Sequence, residues 1–266
     1  MALKLAVNFH TVERNEQVYV SSALKRHLKL HKHSNRDILK SVKHYTMKKI
    51  IIFGTGGFAQ LVFLYLRKDP KFEVVAFSAN EWAIKEKVLY DLPVVPFEKI
   101  EEMYHPDSYY MFIALGYTDM NKKRAKFFSE AKNKGYSLIS YIHPSTIIND
   151  EFQIGENCFI FENNVIQPFV KLGDNVIIWT GNVISHHTTV MDHCFIVSHV
   201  AIAGNTVIEP NCFIGMNATI RNNVKIAKEC IIGAGSVILQ DTREKEVHTS
   251  RSTVKLDVTS DMIKNL

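Results

Sequence analysis

No run of eighteen apolar residues occurs in the 266-residue chain, so the sequence contains no expected membrane-spanning helix. The N-terminus lacks the apolar segment and small-residue cleavage site of a secretory signal peptide. Net positive charge is absent once the first 46 residues are set aside. The formal charge is +5, but residues 1–46 hold nine Lys or Arg against three Asp or Glu, which leaves about −1 for the other 220. The basic balance therefore belongs to the leader. No basic face with interleaved aromatics marks the rest, so nucleic acid is not an expected partner. Cysteine is scarce as well: Cys158, Cys194, Cys212 and Cys230 stand 36, 18 and 18 residues apart.

What is present is a period. Every sixth residue from Ile142 to Ile238 is Ile, Leu or Val, with Leu172 and Val190 the two that are not Ile. A six-residue repeat sustained this long reads as a hexapeptide β-helix, one short strand and one corner per hexad, three hexads to a coil. Four residues after each aliphatic comes, in most hexads, a smaller residue such as Thr146, Val176, Thr206 or Ser236. Residues two apart on a strand point the same way, so both columns share the interior. Phe152 is too large for its column, and Asn164 and Asn182 are polar. The two Asn lie one coil apart and are expected to stack as a hydrogen-bonded ladder. The corner column is mostly Asn or Gly, among them Asn157, Asn175, Gly181, Asn205 and Gly235, types that accept a left-handed backbone. The cysteine spacings are whole coils, which puts all four on one interior face as small hydrophobes, reduced, in the cytoplasm. The short repeat resembles the left-handed form of the β-helix, and the handedness is taken from that resemblance.

Four segments follow. Residues 1–46, with His10, His27, His31, His33 and His44, form a basic leader, disordered or not native, because Met47-Lys-Lys-Ile-Ile-Ile has the look of a natural start. Residues 47–141 alternate strands and helices. Strands are expected at Lys48–Phe53, Phe72–Phe77, Tyr110–Leu115 and Ser137–Ile142, and helices at Phe58–Arg67 and Asn121–Lys134. That pattern is a small Rossmann-like α/β domain with a parallel sheet. Ligands of such sheets bind beyond the carboxyl ends of the strands, here the rim carrying Gly54–Phe58 and Gly116–Asp119. Gly54-Thr55-Gly56-Gly57 ahead of a helix suits phosphate, although it is not a full dinucleotide fingerprint. The domain is too short for both halves of a dinucleotide fold, so the guest is a mononucleotide portion of a ligand. Residues 142–240 are the β-helix. Residues 241–266 read as an extended tail and a short helix that caps its open end.

Within the repeat, His187, His193 and His199 occupy the corner column, where a bland reading as left-handed corner residues suffices. They sit on three different corners, roughly 15–20 Å apart. One chain cannot close a zinc shell with bonds of about 2 Å from them, so no metal is expected. His186 is the only His one position earlier, and Gly204 lies one coil above it. A general base beside a side-chain-free backbone N–H suits acyl transfer: the base takes a proton and the N–H holds the oxyanion. The cysteines point inward, which leaves no cysteine nucleophile.

The stretches Val183-Ile184-Ser185-His186-His187, Ala203-Gly204-Asn205, Asn211-Cys212-Phe213-Ile214-Gly215 and Ile231-Ile232-Gly233-Ala234-Gly235-Ser236 resemble bacterial nucleotide-sugar acyltransferases. These are the hexapeptide-repeat relatives of sialic-acid O-acetyltransferase and UDP-4-amino-sugar N-acetyltransferase. Gly54-Thr55-Gly56-Gly57 and Phe112-Ile113-Ala114-Leu115-Gly116 resemble that family's small nucleotide-binding domain. The resemblance covers about residues 47–250. It implies a homotrimer with acetyl-CoA between adjacent β-helices. It implies His186 as catalytic base, Gly204 as oxyanion donor, and acetyl-CoA contacts at Gly204, Met216 and Ala234. It implies nucleotide-sugar contacts at Gly56, Gly57, Phe58 and Gly116, for bacterial surface glycan synthesis. The family often has an acidic residue after the base to orient it. Here that residue is His187, entered as a catalytic candidate with the orienting partner left open. Relatives that bind uridine carry acidic residues after the second strand, where this chain reads Phe77-Ser78-Ala79-Asn80-Glu81, so the nucleotide base also stays open. The expected reaction is N-acetylation of a nucleotide-linked amino deoxysugar. The rivals are O-acetylation of a sugar hydroxyl, a trimeric zinc β-helix enzyme, and a non-catalytic nucleotide-binding scaffold.

Overall fold

The computed structural model describes residues 47–149 and 151–253, with 257 and 260. The expectations for residues 1–46 and for a terminal helix lie outside the described residues. Among the described residues no helix is long and apolar enough to cross a membrane.

The first half is an α/β layer. Strands β1 (Lys48–Phe53), β2 (Phe72–Ala79), β3 (Val88–Leu89), β4 (Leu92–Pro96) and β5 (Tyr110–Ile113) form one sheet in the order β3-β4-β2-β1-β5. All neighbours are parallel except β3 and β4. Helices α1 (Gly57–Leu66), α2 (Ile100–Met103) and α3 (Lys122–Asn133) complete it. β1 is KKIIIF with its last four residues buried, as befits a parallel strand covered on both faces. The strand β4 was not expected. Its sequence, Leu-Pro-Val-Val-Pro, holds two prolines that cannot donate to a ladder, which argues against a strand by pattern alone. The expected strand at Ser137–Ile142 is corrected. Leu138 makes a single bridge to Met111, and only Tyr141–Ile142 is a strand, already the first rung of the second half.

The second half is the left-handed β-helix. Two-residue rungs repeat every six residues and stack with a register of eighteen, as in Phe195 on Ile177 and Phe213 on Phe195. Three sheets result. One runs from Tyr141–Ile142 to Val247–His248 and faces the α/β half. A second runs from Gln153–Ile154 to Lys225–Ile226. A third runs from Val165–Ile166 to Val237–Ile238. From Ile160 to Ile238 every aliphatic of the column is buried. Each contributes about 1.5–3 kcal/mol over the exposed side chain. Nearer the start, Ile142 and Ile154 are only half-buried, and the most open of the column is Ile148, 42 % exposed. It sits in the lowest coil, where the neighbouring Ile147 makes only an isolated bridge to Val165, so no closed rung covers it from below among the described residues.

The corners are left-handed in every hexad from Asn157 to Gly235, with φ between +54° and +77°. Unlike the expected types, Phe169 (φ +65°) and Glu229 (φ +57°) hold the same conformation. The asparagine ladder forms: Asn182 Nδ2 and its backbone N–H both donate to Asn164 Oδ1 at 2.9 Å, and Val200 N–H donates to Asn182 Oδ1 at 2.7 Å. The four cysteines are buried and free. Burial pushes the Cys158 thiol up to about 12, so it is protonated at neutral pH. The tail closes the far end, with Val247–His248 pairing on Ile231–Ile232.

The two halves share one interior. Phe159, Phe161, Ile177 and Phe195 of the β-helix pack with Ile52, Phe77 and Phe112 of the sheet. β5 is an edge strand, paired on its outer side only where Met111 bridges Leu138, and an open edge is a liability. Asn157 covers it: Ile113 N–H donates to Asn157 Oδ1 at 2.7 Å, and Asn157 Nδ2 donates to the Ile113 carbonyl at 3.3 Å. A corner side chain thus stands in for the next strand.

Candidate active site

The rim of the α/β half is open where glycine leaves it open. Gly54 (φ +122°) turns the chain, and a Cβ there would stand 2.8 Å from the Ala114 carbonyl oxygen. At Gly56, Gly57 and Gly116 a Cβ would meet nothing within 4 Å. No side chain caps the N-terminus of α1, which leaves its first N–H groups and the positive end of the helix dipole facing that space. Phe58 has a second role. Its ring lies 6.4 Å from both Phe161 and Trp179, so it also packs the two halves together. The Ser78 hydroxyl, on the last turn of strand β2 toward this rim, is buried without a partner among the described residues. Beyond β2, Glu98 accepts from Asn80 Nδ2 at 2.9 Å and from the Glu81 N–H at 3.1 Å. Partial burial alone would raise the Glu98 carboxyl, but these bonds hold it below the ordinary carboxylate range.

The loop after β5 is held from behind by a residue that sequence reasoning missed. Arg124 on α3 is fully buried. Its Nη1 donates to the Gly116 carbonyl (2.9 Å) and Asn121 Oδ1 (3.0 Å). Its Nε donates to Asn175 Oδ1 at 3.0 Å, and its Nη2 to the carbonyls of Asn175, His193 and Cys194. Every acceptor is neutral, and burial pushes the guanidinium below its ordinary range. Asp119, Met120 and Asn121 are all left-handed, a turn that Asn121 ties to the Cys212 carbonyl. No pattern in the sequence points to this brace, because its partners on the β-helix are 51 to 70 residues away.

On the β-helix, His186 and Gly204 stack on the corner between the third and second sheets. The His186 N–H donates to Gln167 Oε1 at 2.9 Å, and the ring is exposed. It lies directly against Gly204: a Cβ there would come within 2.6 Å of His186 Cε1 and 2.8 Å of Nε2. Glycine is required at 204 for space, not for its backbone angles. The Gly204 N–H donates to nothing among the described residues, whereas its carbonyl accepts from Asn223. His187 is adjacent, with Nδ1 3.1 Å from His186 Nδ1.

The other histidines go elsewhere. His193 is half-buried under α3, with Nδ1 3.0 Å from Asn175 Nδ2 and its ring edge-on to Phe128. Burial holds it neutral below its ordinary range. His199 lies over Gly181 on the third corner. Among the described residues no group of three or more His, Cys, Asp or Glu is placed to hold a metal. Met216 and Ala234 stack one coil apart on the corner between the first and third sheets, both exposed. Within one chain a full strand of the third sheet separates them from His186 and Gly204.

Comparison with known proteins agrees with both halves. The family model described as bacterial transferase hexapeptide (six repeats) matches residues 153–186 and 205–240. The PglD N-terminal domain matches residues 49–131. A histidine-to-asparagine mutant of perosamine N-acetyltransferase from Caulobacter crescentus, solved with CoA and GDP-perosamine, superposes with a TM-score of 0.67 at 26 % identity, over 75 % of this chain and 92 % of that one. The acetyltransferase domain of PglB from Neisseria gonorrhoeae shares the fold, with a TM-score of 0.67 at 22 % identity over 75 % of this chain and 95 % of that one. The same domain has been solved with acetyl coenzyme A, at a TM-score of 0.66, 21 % identity, and coverage of 76 % and 95 %. Comparison with curated proteins finds no match.

A glycine-lined α/β rim joined to a hexapeptide β-helix defines a two-part transferase. The two family matches and the solved neighbours together support the hexapeptide-repeat nucleotide-sugar acyltransferase family. The chain is an acyltransferase of the sugar-acetylating kind.

Proposed function

We propose that the protein transfers the acetyl group of acetyl-CoA to the amino group of a nucleotide-linked deoxysugar. The observation that carries this reading is the His186 ring lying against Gly204, whose N–H is free. The amine nitrogen attacks the acetyl carbonyl carbon. A C–N bond forms while the carbonyl electrons move to oxygen, and the Gly204 N–H donates a hydrogen bond to that oxyanion. His186 Nε2 takes the proton from nitrogen. The oxyanion then collapses, the C–S bond breaks, and CoA leaves as the thiol with the proton that His186 returns. No covalent enzyme intermediate is needed. Holding both substrates in one cleft removes the bimolecular entropy cost.

In this reading the chain divides into a leader (1–46), a nucleotide-sugar domain (47–141), an acyltransferase domain (142–240) and a tail (241–266). The nucleotide binds at Gly56, Gly57, Phe58 and Gly116, with its phosphates toward the α1 N-terminus. The amino-sugar assignment is supported by the Caulobacter enzyme, whose structure holds GDP-perosamine and CoA. Met216 and Ala234 contact acetyl-CoA from a neighbouring subunit of a homotrimer, which accounts for their distance from His186 within one chain. On the outer face of the third sheet the column Val183, Ala201, Thr219 and Val237 is exposed and uncharged, which suits that contact. The free cysteines support a cytoplasmic location. The test is free-thiol release from acetyl-CoA with a panel of UDP-, dTDP- and GDP-linked amino sugars. Release with one sugar and none with its hydroxyl analogue is expected. Silence across the panel would remove the reading.

A further inference from the structure

Most corner positions of the β-helix are Asn or Gly, the residues that adopt φ near +60° at least cost. Where the column departs from them, a contact explains it. Glu229 pairs with Lys122 at 2.8 Å. His193 joins Asn175 and packs on Phe128. Phe169 is the departure with the least to recommend it. A bulky side chain with φ +65° is a genuine outlier. Its ring is also 47 % exposed, so burial does not offset the strain. Residues held this way persist where the site requires them.

The contact that Phe169 makes is with His187. It lies one coil below, its ring centroid 4.7 Å from that of His187 with the planes 33° apart. The Pro168 carbonyl accepts the His187 N–H at 3.2 Å. His187 in turn presents Nδ1 to His186 Nδ1 at 3.1 Å, the two rings being near perpendicular. Two nitrogens at that distance bond only if one carries hydrogen and the other a lone pair. A base that accepts at Nε2 carries its hydrogen on Nδ1. His187 must then accept at Nδ1 and keep its own hydrogen on Nε2. A neutral imidazole does what a carboxylate would do after the base, but it has two ring flips and two tautomers to choose from, so something must fix it.

We propose that Phe169 is a positioning residue: its ring holds the His187 imidazole so that His187 Nδ1 accepts from His186 Nδ1–H and orients the base. This rests on the reading of His186 as the base. The strain at Phe169 is the cost of keeping an aromatic ring where the backbone favours Asn.

The test exploits that cost. Phe169→Asn restores the residue type the other corners use, so it is expected to fold, with a melting temperature equal to or above that of the unaltered protein. Its kcat for acetyl transfer should fall roughly tenfold, because an unoriented base spends most of its time misdirected. KM for acetyl-CoA should stay within about twofold, since no uniform binding contact is removed. Phe169→Tyr keeps the ring and should keep kcat. Unaltered kcat in Phe169→Asn, or an equal loss in Phe169→Tyr, would overturn the assignment. Long-range 1H–15N correlation of the histidine rings supplies a readout that needs no substrate. In the unaltered protein His186 should show hydrogen on Nδ1 and His187 on Nε2. In Phe169→Asn, His186 should relax toward the Nε2–H form that free imidazole favours. The same tautomers in both proteins would also overturn it. If instead no sugar supports thiol release while the tautomers behave as expected, the acetyl-transfer reading fails and the positioning contact stands.

Discussion

His187 and His193 stand one hexad apart, on backbones that differ by 3° in φ, in the same column of the same repeat. Their fates differ. His193 lies under α3, bonded to Asn175 and held neutral by burial. His187 is exposed and bonded to His186. The first corner is where the β-helix holds the α/β half. The second is left exposed. Residue type and backbone conformation set what a corner can be; the neighbour decides what it is used for.

The largest expected separation between the two corners comes from His186→Ala. Turnover should fall about 10²–10⁴-fold while the melting temperature stays close to the unaltered value, measured by thiol release and thermal unfolding. Full kcat would end its role as base. Arg124→Met probes the opposite corner. It leaves the carbonyls of Gly116, Asn175 and His193 without the donor they have among the described residues, and a loss of roughly 3 kcal/mol of stability is expected by denaturant unfolding. A neutral result would mean those carbonyls find other donors. Gly204→Ala places a methyl where the His186 ring now sits, so kcat should drop roughly 10–100-fold with an unchanged fold by circular dichroism.

The smallest effect is a pH dependence. In the folded protein His193 holds its proton less tightly than the ordinary value of 6.5, because burial disfavours the cation. The unfolded chain then binds the extra proton first as pH falls. The associated stability is present above about pH 6.5 and is lost as pH drops from there through the lower folded value. His193→Asn should therefore flatten the fall of melting temperature below pH 6.5, relative to the unaltered protein. Parallel curves would show that another group dominates that range.

Much of the second half was legible because its rule is local. A rung and a corner repeat every six residues, so interior, small and corner columns all declare themselves, and the Asn164–Asn182 ladder follows from their spacing of one coil. His186 and Gly204 were legible for the same reason: eighteen residues is one coil. The same rule overreached at Ile148, where periodicity says interior but the lowest coil is not closed beneath it. In the first half, Leu92–Pro96 escaped because its prolines hide a strand whose pairing with β2 needs no donor from them. Arg124, Asn157 and Phe169 escaped for a different reason. Asn157 looks like one more corner residue until it is found paired with the Ile113 backbone, where the edge of β5 has no strand beside it. Phe169 looks like noise in the column until its ring is found against His187.

By itself the sequence determined the β-helix, its register, the hand of its corners and the pairing of His186 with Gly204, because short-range backbone geometry and an eighteen-residue coil leave one way to stack them. Only the tertiary structure decided which corner the α/β half covers, which keeps His193 structural and leaves His187 exposed beside His186. That choice is made by contacts between residues tens of positions apart, such as Arg124 with the His193 carbonyl, and no local period encodes them.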